Sequence, residues 1–288
     1  MSKHLHIDPF SGIAGDMFLG ALIDLGLDMK LVEAKLSALP IKLPYQIQTQ
    51  KVMRHSISAT DLKVHVNYPP NNNTTDHSHD HDHSHDHAHD HDHHSHDHGH
   101  SHGHSPSQDI NVNYPQMLAL IDQLDISDAY RQKAKRVVTL LAQAESRVHN
   151  LPLDQVHFHE VGAVDSIIDM LGSVTALSLL NITSISCAPL PLNTRGFVKC
   201  DHGLMPLPAP ATAYLLQGIP TVGVDRNLEL VTPTGAALVA GLSNAFGPAP
   251  AMTIGNVGYG AGDKITTDIP NLLRLYIGTL DSPKKLTP

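Results

Sequence analysis

The chain has 288 residues, of which 41% are hydrophobic, and a formal net charge of -9 at neutral pH. This length suffices for one large buried core or two small ones, and the acidic balance excludes an extended basic surface for nucleic acid. Two cysteines are too few for a disulfide framework. The apolar runs fall short of the roughly 20 residues of a membrane span. The N-terminus lacks a signal-peptide pattern, so we expect a cytoplasmic protein that binds neither nucleic acid nor membranes.

The N-terminal part of the chain reads as strands and helices in alternation. Residues 3–8 alternate apolar and polar side chains and predict a strand, residues 9–15 form a glycine-containing loop, and residues 16–26 have the apolar spacing of a helix. A second helix is predicted at 29–39 and two strands within 45–66.

Helices and strands also alternate in the C-terminal part. We predict a short strand, a glycine turn and a long helix within 155–182, and we predict Ser127 and Thr232 as helix N-caps. The other predicted helices span 114–124, 127–150, 208–218 and 232–246, and the other strands lie within 184–192, 251–259 and 271–279. The predicted fold class is therefore α/β, as a mixed α/β globular domain.

A histidine-rich tract at residues 77–104 interrupts this pattern, with fifteen histidines and six aspartates but no lysine or arginine. Turn-rich polar residues flank the tract on both sides. We therefore predict a disordered, metal-binding insertion at 69–113 within a domain whose two parts span 1–68 and 114–280, followed by a tail at 281–288.

The composition of the tract predicts loose and reversible binding of several metal ions. Neutral imidazoles suit nickel, copper and zinc, and a histidine at every second position builds many overlapping sites instead of one cage. Metal should bind at neutral pH and leave on mild acidification. The alternative is a solvated linker that holds no metal. The predicted ligands are His77, His79, His81, His83, His85, His87, His89, His91, His93, His96, His98, His100, His102 and His104.

A second set of metal-ligand candidates lies in the segments HLHID and VHFHEVGAVDSIID. Residues two apart on a strand share a face, so His4, His6 and Asp8 can point together, and so can His157 and His159. Two aspartates of the second segment, four residues apart, share a helix face. These side chains can converge on one ion, and the alternative is ordinary polar residues at strand ends and helix caps.

The segment HIDPFSGIAGDM predicts a possible phosphate site. A glycine loop between a strand and a helix presents backbone N–H groups and the positive end of the helix dipole. The predicted contacts are Ser11, Gly12 and Gly15. The motif matches neither common nucleotide-binding fingerprint, and a tight turn with Ser11 as the helix cap is an equal alternative.

The segment GFVKCDHG brings Lys199, Cys200 and His202 close together in sequence. A thiol beside a lysine and near an imidazole can ionise, so Cys200 is a candidate soft ligand or nucleophile. A buried cysteine without a role is an equal alternative there, and it is the favoured interpretation for Cys187.

Taken in order, HIDPFSGIAGDM, the histidine tract, VHFHEVGAVDSIID, KCDHGLMPLPAPAT, TPTGAAL and GYGAGDK resemble the LarC nickel insertion family through nearly the whole chain. The resemblance implies insertion of nickel into pyridinium-3,5-bisthiocarboxylic acid mononucleotide. That reaction bonds nickel to two sulfurs and a ring carbon, and it forms the nickel-pincer nucleotide cofactor of lactate racemase. The resemblance also implies hydrolysis of CTP with Mn²⁺ or Mg²⁺, and apo lactate racemase or a related enzyme as client. We also expect a homo-oligomer.

Family members continue into a C-terminal domain associated with the cytidine nucleotide. We therefore expect this chain to act as the N-terminal component, with a separate C-terminal half. On the matching motifs, the predicted nickel ligands are His6, Asp8, Asp16, His157 and His159, and the predicted catalytic residues are Glu160, Asp165 and, as proton acceptor, His202. Two alternatives stay open: a non-catalytic nickel chaperone or store, and a metal-dependent phosphohydrolase that uses the same carboxylates.

Overall fold

The computed structural model describes residues 3–41, 43–67, 112–158, 164–193, 195–200 and 202–281. Its elements before the histidine tract are β1 (Lys3–Asp8), α1 (Gly15–Asp24), α2 (Met29–Leu36), β2 (Tyr45–Arg54) and β3 (Ile57–Val66). These are the elements predicted for the N-terminal part. Both helices end two or three residues before their predicted ends.

The described residues after the tract form five helices and eight strands. The helices are α3 (Tyr114–Asp122), α4 (Asp128–His149), α5 (Val164–Leu179), α6 (Pro210–Leu215) and α7 (Pro233–Leu242). The strands are β4 (Ile182–Cys187), β5 (Leu190–Asn193), β6 (Phe197–Cys200), β7 (Gly203–Pro206), β8 (Thr221–Val224), β9 (Ala245–Phe246), β10 (Met252–Ala261) and β11 (Leu272–Leu280). The sequence does not predict β6, β7 and β8, because four-residue strands among glycines and prolines carry little periodicity. It also does not predict β9, because the predicted helix 232–246 ends at Leu242 in the structure and the two-residue strand follows it.

Seven of these strands form one sheet in the order β2-β3-β10-β11-β1-β4-β9. Strand β1 runs parallel to β4 and antiparallel to β11. Strands β5 and β8 form a separate parallel pair, and β6 and β7 form an antiparallel hairpin. Strands from before and after the histidine tract therefore share one sheet. The prediction of a mixed α/β fold is confirmed.

Helix α1 packs directly on β10 because two glycines of the strand leave room for its backbone. A Cβ atom at Gly258 would lie 2.3 Å from the carbonyl oxygen of Ala21, and one at Gly260 would lie 1.8 Å from that of Met17. Both distances are shorter than any van der Waals contact, so the helix can approach this closely only where the side chain is absent.

The two faces of β1 have opposite character. Leu5 and Ile7 are fully buried in the main hydrophobic core, together with apolar residues of α1 and α5. Side chains alternate along a strand, so His4, His6 and Asp8 lie on the opposite face of β1. One face of the strand therefore anchors the core, and the other is available for polar contacts.

Two predicted helix caps have different outcomes. The Thr232 hydroxyl accepts a hydrogen bond from the Gly235 N–H at the start of α7, as predicted. Ser127 occupies the N-cap position of α4, but its side chain makes no cap hydrogen bond. Nearby, Asn113 and Gln116 form a full capping box at the start of α3.

The predicted strand at the start of 155–182 is wrong for its described residues. Leu153–Gln155 form a 3-10 turn, and His157 makes only an isolated bridge with Asn113. Val156 and Phe158 are buried and His157 between them is exposed, which explains the alternation. Alternation shows which side chains are buried, whereas a strand also needs a second strand to pair with, and among the described residues this segment has only the isolated bridge.

No helix in the described ranges is long and apolar enough to cross a membrane. The predicted insertion at 69–113 and tail at 281–288 fall almost entirely outside the described residues, so the predicted domain boundaries stay predictions.

Candidate functional site

The polar face of β1 is organised in cross-strand rows. His4 lies between Ser184 on β4 and Gly278 on β11. One step along, His6 lies between Ser186 and Tyr276. At the end of the strand Asp8 lies opposite Arg274 on β11. The register of three strands thus brings imidazole, hydroxyl, phenol and ion-paired groups onto one surface.

A continuous chain of hydrogen bonds links the two histidines. His4 Nδ1 shares a hydrogen bond with Ser184 Oγ at 2.7 Å, and His4 Nε2 shares one with Ser186 Oγ at 2.8 Å. Ser186 Oγ also shares a hydrogen bond with His6 Nδ1 at 2.8 Å. Both nitrogens of His4 are therefore engaged by serine hydroxyls. His6 Nε2 has no hydrogen-bond partner among the described residues.

His6 lines a cleft of about 370 Å³ on this face. The ring of His6 is 2% exposed and stacks on Tyr276 with 6.3 Å between the ring centroids. The other residues that line the cleft are Asp8, Ala188, Ala249, Pro250, Met252 and Ile254. The walls are mostly apolar, so the polar groups that can orient a ligand there come from His6, Asp8 and Tyr276.

Burial lowers the pKa of His6, and the negative charge of Asp8 opposes that shift in part. Burial also lowers the pKa of His4. An imidazole with a lowered pKa is neutral at pH 7, and the neutral form has the lone pair that a transition metal needs. The cleft therefore holds an imidazole in its metal-binding protonation state.

Asp8 is held by an ion pair at the rim of this face. Its Oδ2 accepts hydrogen bonds from Arg274 Nε at 2.9 Å and from Arg274 Nη2 at 2.5 Å. The guanidinium carbon of Arg274 lies 5.4 Å from the ring centroid of Phe10 and 5.0 Å from that of Tyr276. The ion pair and the two aromatic rings hold the Arg274 guanidinium beside the cleft.

A second polar cluster lies where α1 begins. A Cβ atom built on Gly15 would lie 2.8 Å from Asp169 Cβ and 3.1 Å from Asp169 Oδ2, so Asp169 of α5 packs against the first turn of α1. The Asp169 Oδ1 atom is cut off from solvent and has no hydrogen-bond partner among the described residues. Lys63 lies 3.1 Å from Asp61 and also pairs with Asp263.

The carboxyl groups of this second cluster resist ionisation. Burial raises the pKa of Asp169 well above its usual value, and the charges of Asp16 and Asp165 add to the effect. Burial likewise raises the pKa of Asp16, and the charge of Lys63 opposes it. Buried like charges that lie close together favour a bound proton or cation.

The predicted phosphate loop is a tight turn in its backbone. Gly12 N–H donates to Pro9 O at 3.0 Å, and Ile13 N–H donates to Leu230 O at 2.7 Å. Gly12 has φ +116°, and a Cβ atom there would lie 2.0 Å from Leu230 O, so only glycine fits. Ser11 is buried, and within the part of the chain that the structure describes its Oγ has no hydrogen-bond partner. The binding role of Ser11, Gly12 and Gly15 stays a prediction.

The remaining predicted site residues lie apart from the cleft or outside the described residues. His157 is exposed and bridges Asn113 at the start of α3, on a segment separate from β1. Asp165 is exposed at the start of α5, where it accepts a hydrogen bond from Ser166 N–H at 2.7 Å. His159, Glu160 and every histidine of the tract lie outside the described residues.

His202 belongs to a third location, in the turn between β6 and β7. Its ring centroid is 5.0 Å from that of His149 at the end of α4, and His149 Nε2 lies 3.4 Å from a Glu145 carboxylate oxygen. Cys200, two residues before His202, is half-buried. Cys187 is buried on β4, and burial raises the pKa of its thiol, which makes it an unreactive core residue.

The structure thus divides the predicted metal ligands between two places: His6 and Asp8 line the cleft, and Asp16 lies with Asp169 at the start of α1. No group of three or more histidine, cysteine, aspartate or glutamate side chains within the described ranges is arranged to hold a metal ion.

Sequence reasoning missed several residues of these two places. They are Ser184, Ser186, Arg274 and Tyr276 around the cleft and Asp61 and Lys63 in the second cluster. The alternation in SISC and LLRLYIG was a usable signal for the strands. It does not say which residues lie opposite His4 and His6.

A family model described as nickel insertion protein matches residues 5–287. A protein of Geobacter metallireducens that is named for nickel insertion is 40% identical over 277 residues, which cover 96% of this chain and 61% of that protein. A Geobacillus kaustophilus protein named pyridinium-3,5-bisthiocarboxylic acid mononucleotide nickel insertion protein is 39% identical over 276 residues, which cover 96% of this chain and 60% of that protein. The chain spans about three fifths of the length of these relatives. No solved structure matches it.

Proposed function

Because this chain belongs to the nickel insertion protein family, we propose that it takes part in inserting nickel into pyridinium-3,5-bisthiocarboxylic acid mononucleotide. It acts as the N-terminal component of the enzyme, and the product is the nickel-pincer nucleotide cofactor of lactate racemase. The observation that carries the proposal is the match over residues 5–287, together with a relative of 39% identity that is named for this mononucleotide.

Among the described residues, His6 and Asp8 are the proposed nickel ligands. Support comes from the lowered pKa of His6, from its unpartnered Nε2, and from the position of both residues in one cleft. Two protein donors do not make a closed cage, and this suits a metal that is a substrate. The open coordination positions can accept the two sulfur atoms of the mononucleotide, which are soft ligands.

The cleft also offers contacts for the organic substrate. Tyr276 presents an aromatic ring on which a cationic pyridinium can stack, and Arg274 supplies positive charge for an anionic group. Ser11, Gly12 and Gly15 are kept as the proposed phosphate contacts.

Formation of the nickel–carbon bond breaks a ring C–H bond, and the proton must pass to a base. Glu160, Asp165 and His202 stay predictions from the sequence, and no proton transfer is assigned to Asp165 or His202, because both lie apart from the cleft. CTP and its Mn²⁺ or Mg²⁺ enter the proposal only through the family resemblance. The donor sets of the described residues do not fit a resident divalent metal, so no step is assigned through it.

The histidine tract is the proposed nickel reservoir. The support is its composition, since fifteen imidazoles within 28 residues offer many weak sites for a borderline-soft metal. The tract should raise the supply of nickel when the metal is scarce and should be dispensable when it is plentiful.

The test is reconstitution. The purified chain, a separately produced C-terminal half, the mononucleotide, Ni²⁺, Mn²⁺ and CTP are mixed, and cofactor is measured by activation of apo lactate racemase. We expect His6→Gln to lower the rate at least about tenfold, and His65→Gln, an exposed histidine on β3, to leave it unchanged. Deletion of 77–104 should lower the rate only at low nickel.

Two results would change this assignment. A full rate with His6→Gln would remove His6 from the path of the metal. A chain that binds several nickel ions but forms no cofactor in any combination would be a nickel store, the non-catalytic alternative.

A further inference from the structure

The hydroxyl of Ser186 serves two imidazoles at once. Its oxygen lies 2.8 Å from His4 Nε2 and 2.8 Å from His6 Nδ1. A serine hydroxyl has one hydrogen to donate, and it can accept at its lone pairs. Ser186 can therefore donate its hydrogen to at most one of the two ring nitrogens, and any ring nitrogen that does not receive it must carry a hydrogen and donate to the oxygen.

With both rings in the neutral form, three arrangements satisfy all three hydrogen bonds. In the first, His6 Nδ1–H donates to Ser186, Ser186 donates to His4 Nε2, and His4 Nδ1–H donates to Ser184. The second reverses every donor and places a hydrogen on His6 Nε2. In the third, both rings donate to Ser186 Oγ, and His6 again carries its hydrogen on Nδ1. Two of the three arrangements therefore leave a lone pair on His6 Nε2, and the tautomer of His6 depends on where Ser186 donates its hydrogen.

The arrangements with the hydrogen on His6 Nδ1 fit the described contacts better. The described residues offer no acceptor for a hydrogen on His6 Nε2, whereas Ser186 Oγ can accept one from Nδ1. With the hydrogen on Nδ1, Nε2 carries a lone pair. Both nitrogens of His4 are engaged, so His4 supports its neighbour and has no nitrogen left for a metal.

We propose that Ser186 and His4 are positioning residues that hold His6 in the Nδ1–H tautomer, with the Nε2 lone pair ready to take a nickel ion in the cleft. This inference rests on the proposed function only for the identity of the metal. Ligating histidines are commonly oriented by a partner at the other ring nitrogen, and loss of such a partner lowers metal affinity about 10- to 100-fold.

The first measurement uses the metal-free, full-length chain with the fifteen tract histidines replaced by asparagine, so that the remaining signals come from the fixed histidines. Nitrogen-15 NMR reports which ring nitrogen of His6 carries the hydrogen, and His6→Gln assigns the signal. We expect Nδ1–H in the parent and in Ser186→Thr, which keeps the hydroxyl. A hydrogen on Nε2 in the metal-free and the Zn²⁺-bound protein would overturn the inference.

The second measurement is nickel affinity on the same background, by competition with a chelator. Ser186→Ala should weaken binding about 10- to 100-fold, Ser186→Thr should stay within about threefold of the parent, and Ser184→Ala should weaken binding less than Ser186→Ala. Ser58→Ala, an exposed serine on β3, is the matched control and should change nothing. Equal affinity of the parent and Ser186→Ala would overturn the inference.

The positioning role and the proposed function can be contradicted independently of each other. If His6→Gln binds nickel like the parent while the chain still makes cofactor, the positioning role is lost and the proposed function stands. If Ser186→Ala weakens binding but no cofactor forms, the positioning role stands and the proposed function is lost. Because the NMR measurement needs no substitution at Ser186, the inference stays testable even if Ser186→Ala fails to fold.

Discussion

The cleft around His6 and the carboxyl cluster around Asp169 both bury ionisable side chains, and burial acts on them in opposite ways. It lowers the pKa of His6 and so favours the neutral imidazole that binds metal. It raises the pKa of Asp169 and so favours the protonated carboxyl that does not. In both places burial disfavours the charged form. A buried histidine is therefore neutral and can bind a metal ion, whereas two carboxyl groups buried side by side are stable only with a bound proton or cation.

The largest expected effect comes from Gly15→Ala, which crowds the carboxyl cluster at the start of α1. The new Cβ atom would lie 2.8 Å from Asp169 Cβ and would force α1 and α5 apart. We expect a loss of about 1–3 kcal/mol in unfolding free energy, as for other overpacked sites. Chemical denaturation measures it.

Gly255→Ala is the control for this substitution, because its Cβ atom would make only an ordinary contact at 3.5 Å with Ile277 O. A loss of stability equal for the two variants would contradict the assigned packing. Nickel affinity at His6 should be the same in both.

Asp169→Asn should stabilise the protein at pH 8 by about 1–2 kcal/mol, because it removes a buried charge without a hydrogen bond at Oδ1. The pKa of Asp169 is raised in the folded state, so the parent is most stable below the ordinary carboxyl pKa and loses stability as pH rises through the folded value. The advantage of the variant should therefore vanish near pH 4. Unfolding curves at both pH values test this, and an equal advantage at both would show that the buried charge is not the cause.

His4 and His6 should make the free energy of unfolding depend on pH in the opposite direction. The pKa values of His4 and His6 are lowered in the folded state, so their contribution is present above pH 6.5 and is lost as pH falls through the folded values. We expect the melting temperature to fall by about 1–2 °C between pH 7 and pH 5 through this pair. His4→Gln should flatten that part of the profile. A profile that the substitution leaves unchanged would show that other groups cause the slope.

The smallest expected effect is at the rim of the cleft. Arg274→Met removes a cation that pairs with Asp8, so the carboxylate becomes a better nickel ligand. We expect a rise in nickel affinity of about two- to fivefold, the scale of a partly exposed ion pair. Arg195→Met, which breaks the exposed pair with Asp225, is the control. Weaker binding by Arg274→Met would mean that the ion pair orients Asp8 for the metal.

Much of the fold and part of the site could be predicted from the sequence. The alternation in KHLHID predicts both the strand and the shared face of His6 and Asp8, because side-chain direction along a strand is a local property. The glycine loop before α1 is predicted for the same local reason. The separation of Asp16 from His6 could not be predicted, because the two residues belong to different elements, α1 and β1, whose relative placement depends on packing.

The amino-acid sequence by itself determined the strands and helices with clear periodicity, the composition of the histidine tract, and the presence of imidazoles and carboxyls in strand and helix patterns. Only the tertiary structure decided that Ser184 and Ser186 lie beside His4 and His6, about 180 positions away in the chain. It also decided that Asp169 packs against Gly15. The physical reason is that periodicity arises from neighbouring residues, whereas strand register and helix packing arise from contacts between distant segments that form one core.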